Sequence, residues 1–201
     1  MPSNERAPRP LSLRELNRAH LARQLLLERA ALAPVAAVER LGGLQAQWAP
    51  SPYVALWSRL RAFDRDRLTG AIDRGELVKA TLMRATLHLV SAREYPEYSL
   101  ATLDGRFGAW RPPGSPLLAE FAAVRRSVLK LAAKAPRTRA EIQRYIAEHM
   151  PKAAAEDERL RSWSLWAAIT TSGVVWEPAG AHFEYRTLAR FVAPPAALRR
   201  R

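Results

Sequence analysis

Apolar residues recur at helical spacing along most of the chain, and glycine, proline and short polar residues cut the periodic stretches apart. Residues 11–32 predict a long first helix. Ser12 stands at its start with Glu15 three residues on, the spacing of a capping box. Leu13, Leu16 and Leu27 form one stripe and Leu21, Leu25 and Leu32 a second, so the helix is expected to be buried over a wide arc. Asn17, His20 and Gln24 lie between the stripes, as polar groups do at a seam. Pro34 fits the first turn of a second helix that Gly42 and Gly43 end. A third helix is expected around Tyr53–Leu60, behind Pro50 and Pro52. Asp64 can cap a fourth, running to about Arg74 and stopped by Gly75. The period then changes. Residues 76–90 are rich in Val, Thr and Leu and predict two antiparallel strands reversing near Met83-Arg84.

Residues 104–118 are dense in Gly and Pro and predict a linker or surface loop. The same order of elements then returns. A helix over about Leu117–Ala133 is followed by Pro136 and by Thr138-Arg139-Ala140-Glu141, a capping box for a helix to His149. A further helix spans about Asp157–Thr171, with Leu160, Trp163, Trp166 and Ile169 inward and Gly173 as its stop. A second hairpin follows, from Val174–Glu177 and His182–Tyr185. Helices followed by a hairpin are the outline of a winged helix. The expected fold class is mainly α with small β-hairpins, an α+β chain of tandem winged-helix units. The expected organisation is a flexible leader (1–10), a first unit (11–103), a linker (104–118), a second unit (119–192) and a basic tail (193–201).

The net charge of +13 points to a polyanionic partner, although biased base composition also enriches Arg and Ala, and basic faces are often merely solvated. With no Cys, disulfides, thiolate catalysis and Cys-based zinc sites are excluded. His20, His88, His149 and His182 show no HxxxH or HExxH spacing, so no metal and no cofactor is expected. No apolar run reaches the length of a membrane span, and charged residues interrupt any signal-peptide core near the start. The expected location is the cytoplasm, on the nucleoid.

Arg159, Arg161, Ser162 and Ser164 lie on or beside the expected outward face of the helix before the second hairpin. Arg137 and Arg139 lie at the capped start of the helix before that. These are candidates for DNA backbone contact, against the alternative of a solvated face beside Glu156, Asp157 and Glu158. The chemistry-bearing feature is Gln45-Ala46-Gln47. In an extended segment residues two apart project to one side, so two amides would point together beside Trp48. Such glutamines are more often plain surface or capping residues. His88 alternates with Leu87 and Leu89. It either approaches a substrate or serves as a hydrogen-bonded structural histidine. Arg84 at the hairpin tip either enters the duplex or sits on the surface.

The strings Leu41-Gly42-Gly43-Leu44-Gln45-Ala46-Gln47 and Arg84-Ala85-Thr86-Leu87-His88-Leu89-Val90 resemble the AlkZ family of bacterial DNA glycosylases, also described as winged-helix DNA-binding proteins. The catalytic signature of that family is Gln, an apolar residue, then Gln or Asp. The resemblance therefore implies Gln45 and Gln47 as catalytic residues, with His88, His20 and Trp48 as supporting candidates, double-stranded DNA as partner and N7-alkylated purines as substrates. A Gln amide has no useful pKa and cannot serve as general base. It can orient a water or hold a sugar through hydrogen bonds. That suffices where the purine is already cationic and poised to leave. Members usually continue through a third winged helix. This chain is expected to stop short of it, leaving a seam that allows self-association. Two other readings stand beside the glycosylase: a DNA-binding regulator that does not cleave, and an interaction module without DNA.

Overall fold

The computed structural model describes residues 9–149, 156–178 and 190–194. The expected strand His182–Tyr185, the tail from residue 195 and most of the leader lie outside the described residues. The chain is mainly helical with two small antiparallel sheets. In the first half come α1 (Leu13–Arg23), α2 (Pro34–Leu41), β1 (Leu44–Gln45), α3 (Ser51–Arg59), α4 (Arg65–Asp73), β2 (Leu77–Thr81), a 3-10 turn (Met83–Ala85) and β3 (Leu87–Ser91). Next come α5 (Tyr95–Ala101) and α6 (Leu103–Gly108). The second half holds α7 (Ala122–Lys134), β4 (Arg137–Thr138), α8 (Arg139–His149), α9 (Glu158–Thr171), β5 (Val175–Trp176) and β6 (Arg190–Val192).

Several boundaries follow from the local chemistry read in the sequence. The Ser12 and Glu15 side chains and backbones close a reciprocal capping box. Asp64 Oδ1 accepts from Asp66 N at 2.8 Å. Asp157 Oδ1 accepts from Arg159 N and Leu160 N, and Thr138 with Glu141 forms the expected box at the start of α8.

The first helix is the main departure. It ends at Arg23 rather than running to residue 32, and none of its residues is buried. Leu25 takes a left-handed φ of 55°, and Leu26 N donates back to Leu21 O at 2.9 Å. This is the helix-ending turn usually made by glycine, here made by leucine. The following segment is tied to the end of α3: Ala30 N donates to Arg59 O, Arg61 N to Ala30 O, and Arg59 Nε to Gln24 O. Those long-range bonds outcompete the helical pattern.

Both sheets share one topology. The orders are β1-β3-β2 and β4-β6-β5, antiparallel throughout. The first sheet is buried on both faces. Leu44, Leu77 and Leu89 join the core of α2, α3 and α4 around Val38, Leu56 and Leu68. Val78, Ala80 and Val90 face a second cluster containing Tyr95 and Val175. Val175 belongs to the second sheet, so this cluster is a seam between the halves. Tyr95 Oη reinforces it by donating to Gly173 O at 2.9 Å.

A third cluster holds the second half together, with Ile142, Ile146, Val128 and Leu165 around Trp163. Phe107 and Phe121 pack on Trp163 with ring centroids 5.1 and 5.8 Å away. Part of the expected linker is therefore a core element: α6 supplies Phe107 to this cluster, and its Arg106 is buried as well. Within α9, Trp163 and Ile169 are inward as expected, but Trp166 is 47% exposed. From Trp163 onward nearly the whole circumference of α9 is buried, and Trp166 occupies the arc left open.

Candidate functional site

The Gln-Ala-Gln segment owes its path to Gly42 and Gly43, both at positive φ. A Cβ on Gly43 would meet Val90 Cγ1 at 2.8 Å, so glycine is what lets β1 close on β3. The side chains then alternate: Leu44 buried, Gln45 exposed, Ala46 buried, Gln47 exposed. Gln45 lies opposite His88, which lies opposite Ala80 on β2, so the three share one row across the sheet. Past β1 the main chain turns away. Ala46 N still donates to Leu87 O at 2.7 Å, while Leu87 N donates to the side-chain Oε1 of Gln47 at 3.1 Å. The Gln47 amide thus stands in for a missing backbone carbonyl. An N–H donor requires an oxygen, which fixes the amide's orientation and leaves Nε2 with two N–H groups facing away from this bond.

His88 is buried, with Nδ1 2.9 Å from Thr86 O. A carbonyl can only accept, so Nδ1 carries the proton and Nε2 the lone pair. Burial pushes the imidazole below its usual pKa, with Arg84 acting in the same direction and the Thr86 carbonyl opposing. The ring is therefore neutral at pH 7.

Gln47 lines a cleft of 880 Å³ between the halves. Thr81, Ala85 and Leu87 of the first hairpin form one wall, and Arg159, Ser162 and Trp166 of α9 form the other. The segment after α6 adds Ala109, Trp110 and Pro112. Arg106 also lines the cleft. Its guanidinium donates to the carbonyls of Thr81, Thr170, Ser99 and Thr102, which ties β2, α5, α6 and α9 together. Burial lowers its pKa to about 10, so it remains charged at pH 7.

Of the residues singled out from sequence, Gln47, Arg159 and Ser162 meet in this cleft. Gln45 and His88 are neighbours on the sheet but are not among the lining residues. Trp48 is exposed one residue past Gln47, and His20 is exposed on α1 away from the cleft lining. Arg84 is exposed at the hairpin tip with a left-handed φ of 52°. Arg139 stacks over Trp166 at 4.8 Å, at the cleft wall, and Arg161 is exposed on α9. Arg137 is half-buried, its Nη1 3.4 Å from Glu141 and its Nε 3.4 Å from Leu131 O. Ser164 is a correction: it is fully buried, because α9 is enclosed on that side too, and it cannot reach a ligand.

Sequence reasoning missed Trp110, Arg106 and Glu158 as cleft residues. Only Trp110 carried a signal, as a large aromatic in a Gly- and Pro-rich stretch. Among the described residues no three His, Asp or Glu side chains gather as a metal site, and no helix is long and apolar enough to cross a membrane.

Comparison with known proteins places these features. A family model described as DNA glycosylase AlkZ-like matches residues 38–201. Among solved structures, Streptomyces sahachiroi DNA glycosylase AlkZ aligns with a TM-score of 0.67 at 24% identity. The alignment covers 89% of this chain and 48% of that one, so the chain spans about half the length of the protein it resembles, and at that identity the likeness is one of fold. No curated protein matches the sequence.

Proposed function

The chain belongs to the AlkZ-like DNA glycosylase family, and from that premise we propose that it binds double-stranded DNA and hydrolyses the N-glycosidic bond of N7-alkylated purines. The supporting observation is Gln47, an amide of fixed orientation lining an open cleft whose volume suits a nucleoside-sized ligand. We read the two halves as tandem winged helices, with the β2–β3 hairpin as the first wing. Arg84, Arg139, Arg159 and Arg161 then serve as backbone contacts, each true phosphate contact steepening the salt dependence of binding by roughly one unit.

In this reading the C1′–N9 bond breaks and its electron pair returns to the purine ring, cancelling the charge placed there by N7 alkylation. A water oxygen bonds to C1′ and releases a proton, leaving an abasic sugar and a neutral alkylpurine. Leu87 N takes one lone pair of the Gln47 Oε1 and fixes the amide, which is then read as holding a sugar or base oxygen through its Nε2 donors. The second lone pair of Oε1 can accept from the water, and Gln45, exposed two residues away, is the other candidate acceptor. Neither amide takes up a proton, so rate acceleration comes from positioning and from charge around the oxocarbenium-like state.

A second reading is a winged-helix protein that binds DNA without cleaving it. It is favoured by the position of Gln45, which is exposed but not among the cleft-lining residues. One experiment separates the two. Duplex DNA containing N7-methylguanine is incubated with the protein and assayed for abasic sites, with Gln47→Ala as control. Abasic sites formed by the parent and lost in the variant support the glycosylase. Salt-sensitive binding without abasic sites supports the plain binder.

A further inference from the structure

Four non-glycine residues among those described hold a left-handed backbone: Leu25, Arg84, Ala85 and Trp110. Leu25 ends a helix. Ala85 and Trp110 both line the cleft, and Arg84 adjoins Ala85 at the hairpin tip. Such conformations are disfavoured for residues with a Cβ and persist only where the surroundings enforce them. At Trp110 the enforcement is visible. Ala109 N donates to Gly105 O and Arg111 N to Gly108 O on one side, and Ser115 N and Oγ both donate to Pro112 O on the other. Arg111 Nη2 donates to Ser115 O at 3.0 Å, and its guanidinium lies over the Phe107 ring. A braced loop with two consecutive prolines thus presents an indole that is 94% exposed.

A large aromatic held in place at the edge of a cleft offers a flat apolar face to whatever enters it. Here it faces a cleft shared with the donor amide of Gln47 and the cation of Arg159, in a chain of net charge +13. A nucleic acid strand matches that set: phosphate for the cations, a flat π-face for the indole, sugar or base oxygens for the amide.

We propose that Trp110 is a base-stacking residue, receiving on its indole the base next to the nucleotide on which Gln47 acts. This rests on the glycosylase reading and adds to it a residue that holds the strand rather than reacting with it. The stack would hold the strand open and keep C1′ of the target nucleotide beside the amides.

The test uses the full chain with a duplex carrying a tetrahydrofuran abasic analogue and 2-aminopurine at the neighbouring base. Trp110→Ala, at a surface position, is checked for an unchanged melting temperature. Expected is a loss of roughly 5- to 150-fold in affinity for the abasic duplex, the range of single base–aromatic stacks. The quenching of 2-aminopurine by the parent protein should disappear, and Trp110→Phe should restore most of both. If Trp110→Ala matches the parent in affinity and quenching while Gln47→Ala still abolishes excision, stacking is wrong and the glycosylase reading stands. If the parent neither binds the duplex nor releases N7-methylguanine, both fall. A Trp110→Ala effect confined to self-association would make the indole a protein contact and overturn the proposal.

Discussion

The two sheets share strand order and direction, yet the two short first strands lead into opposite situations. From β4 the chain enters α8 at once, and the polar groups at the junction are consumed by one another. Thr138 N and Oγ1 donate to Glu141, Glu141 N donates to Thr138, and Arg137 lies beside the same carboxylate. From β1 the chain bends instead, and Gln47 spends only its oxygen on Leu87 N. One junction is closed, whereas the other presents two N–H groups at a cleft. Similar scaffolding therefore carries different potential for chemistry, and the difference lies in which polar groups local structure leaves over.

The largest expected effect tests whether the second sheet stands on its own half of the chain. Phe107 comes from α6, before that half begins, and packs on Trp163 and Phe121. Phe107→Ala should cost about 3–5 kcal/mol, as for other buried aromatics. Hydrogen exchange should show protection falling first across α7, α8 and α9, while α2, α3 and α4 keep theirs. Equal loss in both halves would mean that the seam at Val78, Val90 and Val175 couples them into one cooperative unit.

Next in size is the amide itself. Gln47→Ala should lower excision of N7-methylguanine at least ~100-fold, the scale for loss of one preorganised donor. Gln47→Glu sharpens the point. A carboxylate can still accept from Leu87 N, so stability should hold, but the Nε2 donors are gone. Full activity in Gln47→Glu, read by single-turnover release of N7-methylguanine, would mean that the donors play no part.

Much of this architecture could be read from local signals. Capping boxes at Ser12 and Thr138, caps at Asp64 and Asp157, and stops at Gly42 and Gly75 depend on residues a few positions apart. The outward pairing of Gln45 and Gln47 followed from strand alternation in the same way. What failed was set by distant contacts. Nothing near Leu25 announces the end of α1; Arg59 and Arg61, more than thirty residues on, hold the chain there. Gly105 and Gly108 disguised α6 as a linker, because its helix is secured by burial of Phe107 and Arg106 rather than by propensity. The cleft itself was invisible, since its facing walls, around Leu87 and around Ser162, lie more than seventy residues apart in the chain.

A smaller effect concerns Lys79, 3% exposed on β2 beneath the Trp176 ring, which joins the two sheets. Burial lowers its pKa to about 8, below its value in the unfolded chain. Between pH 8 and 10.5 the folded protein has lost this proton while the unfolded chain retains it, so stability should rise with pH across that window. At pH 7 both states are protonated and the fold carries the burial cost. Lys79→Met should stabilise by about 1–3 kcal/mol at pH 7 and remove the alkaline rise. Denaturant midpoints at pH 7 and 9.5 measure both. A destabilised variant would show that the contacts Lys79 makes in the fold, the cation–π contact with Trp176 among them, outweigh desolvation.

The smallest effect returns to junctions, and compares two capping boxes of the same design. Thr138 caps α8, whose Ile142 and Ile146 are buried in the second core, whereas Ser12 caps α1, which buries nothing. A cap contributes to global stability only insofar as its helix must be formed in the folded state and absent in the unfolded one. Thr138→Ala should therefore cost about 1 kcal/mol and move the whole unfolding transition. Ser12→Ala should leave that transition in place and merely fray α1, visible as faster amide exchange over Leu13–Arg23. A global shift in Ser12→Ala would mean that the exposed leucines of α1 are covered in solution, and a concentration-dependent melting temperature would then identify another copy of this chain as the cover.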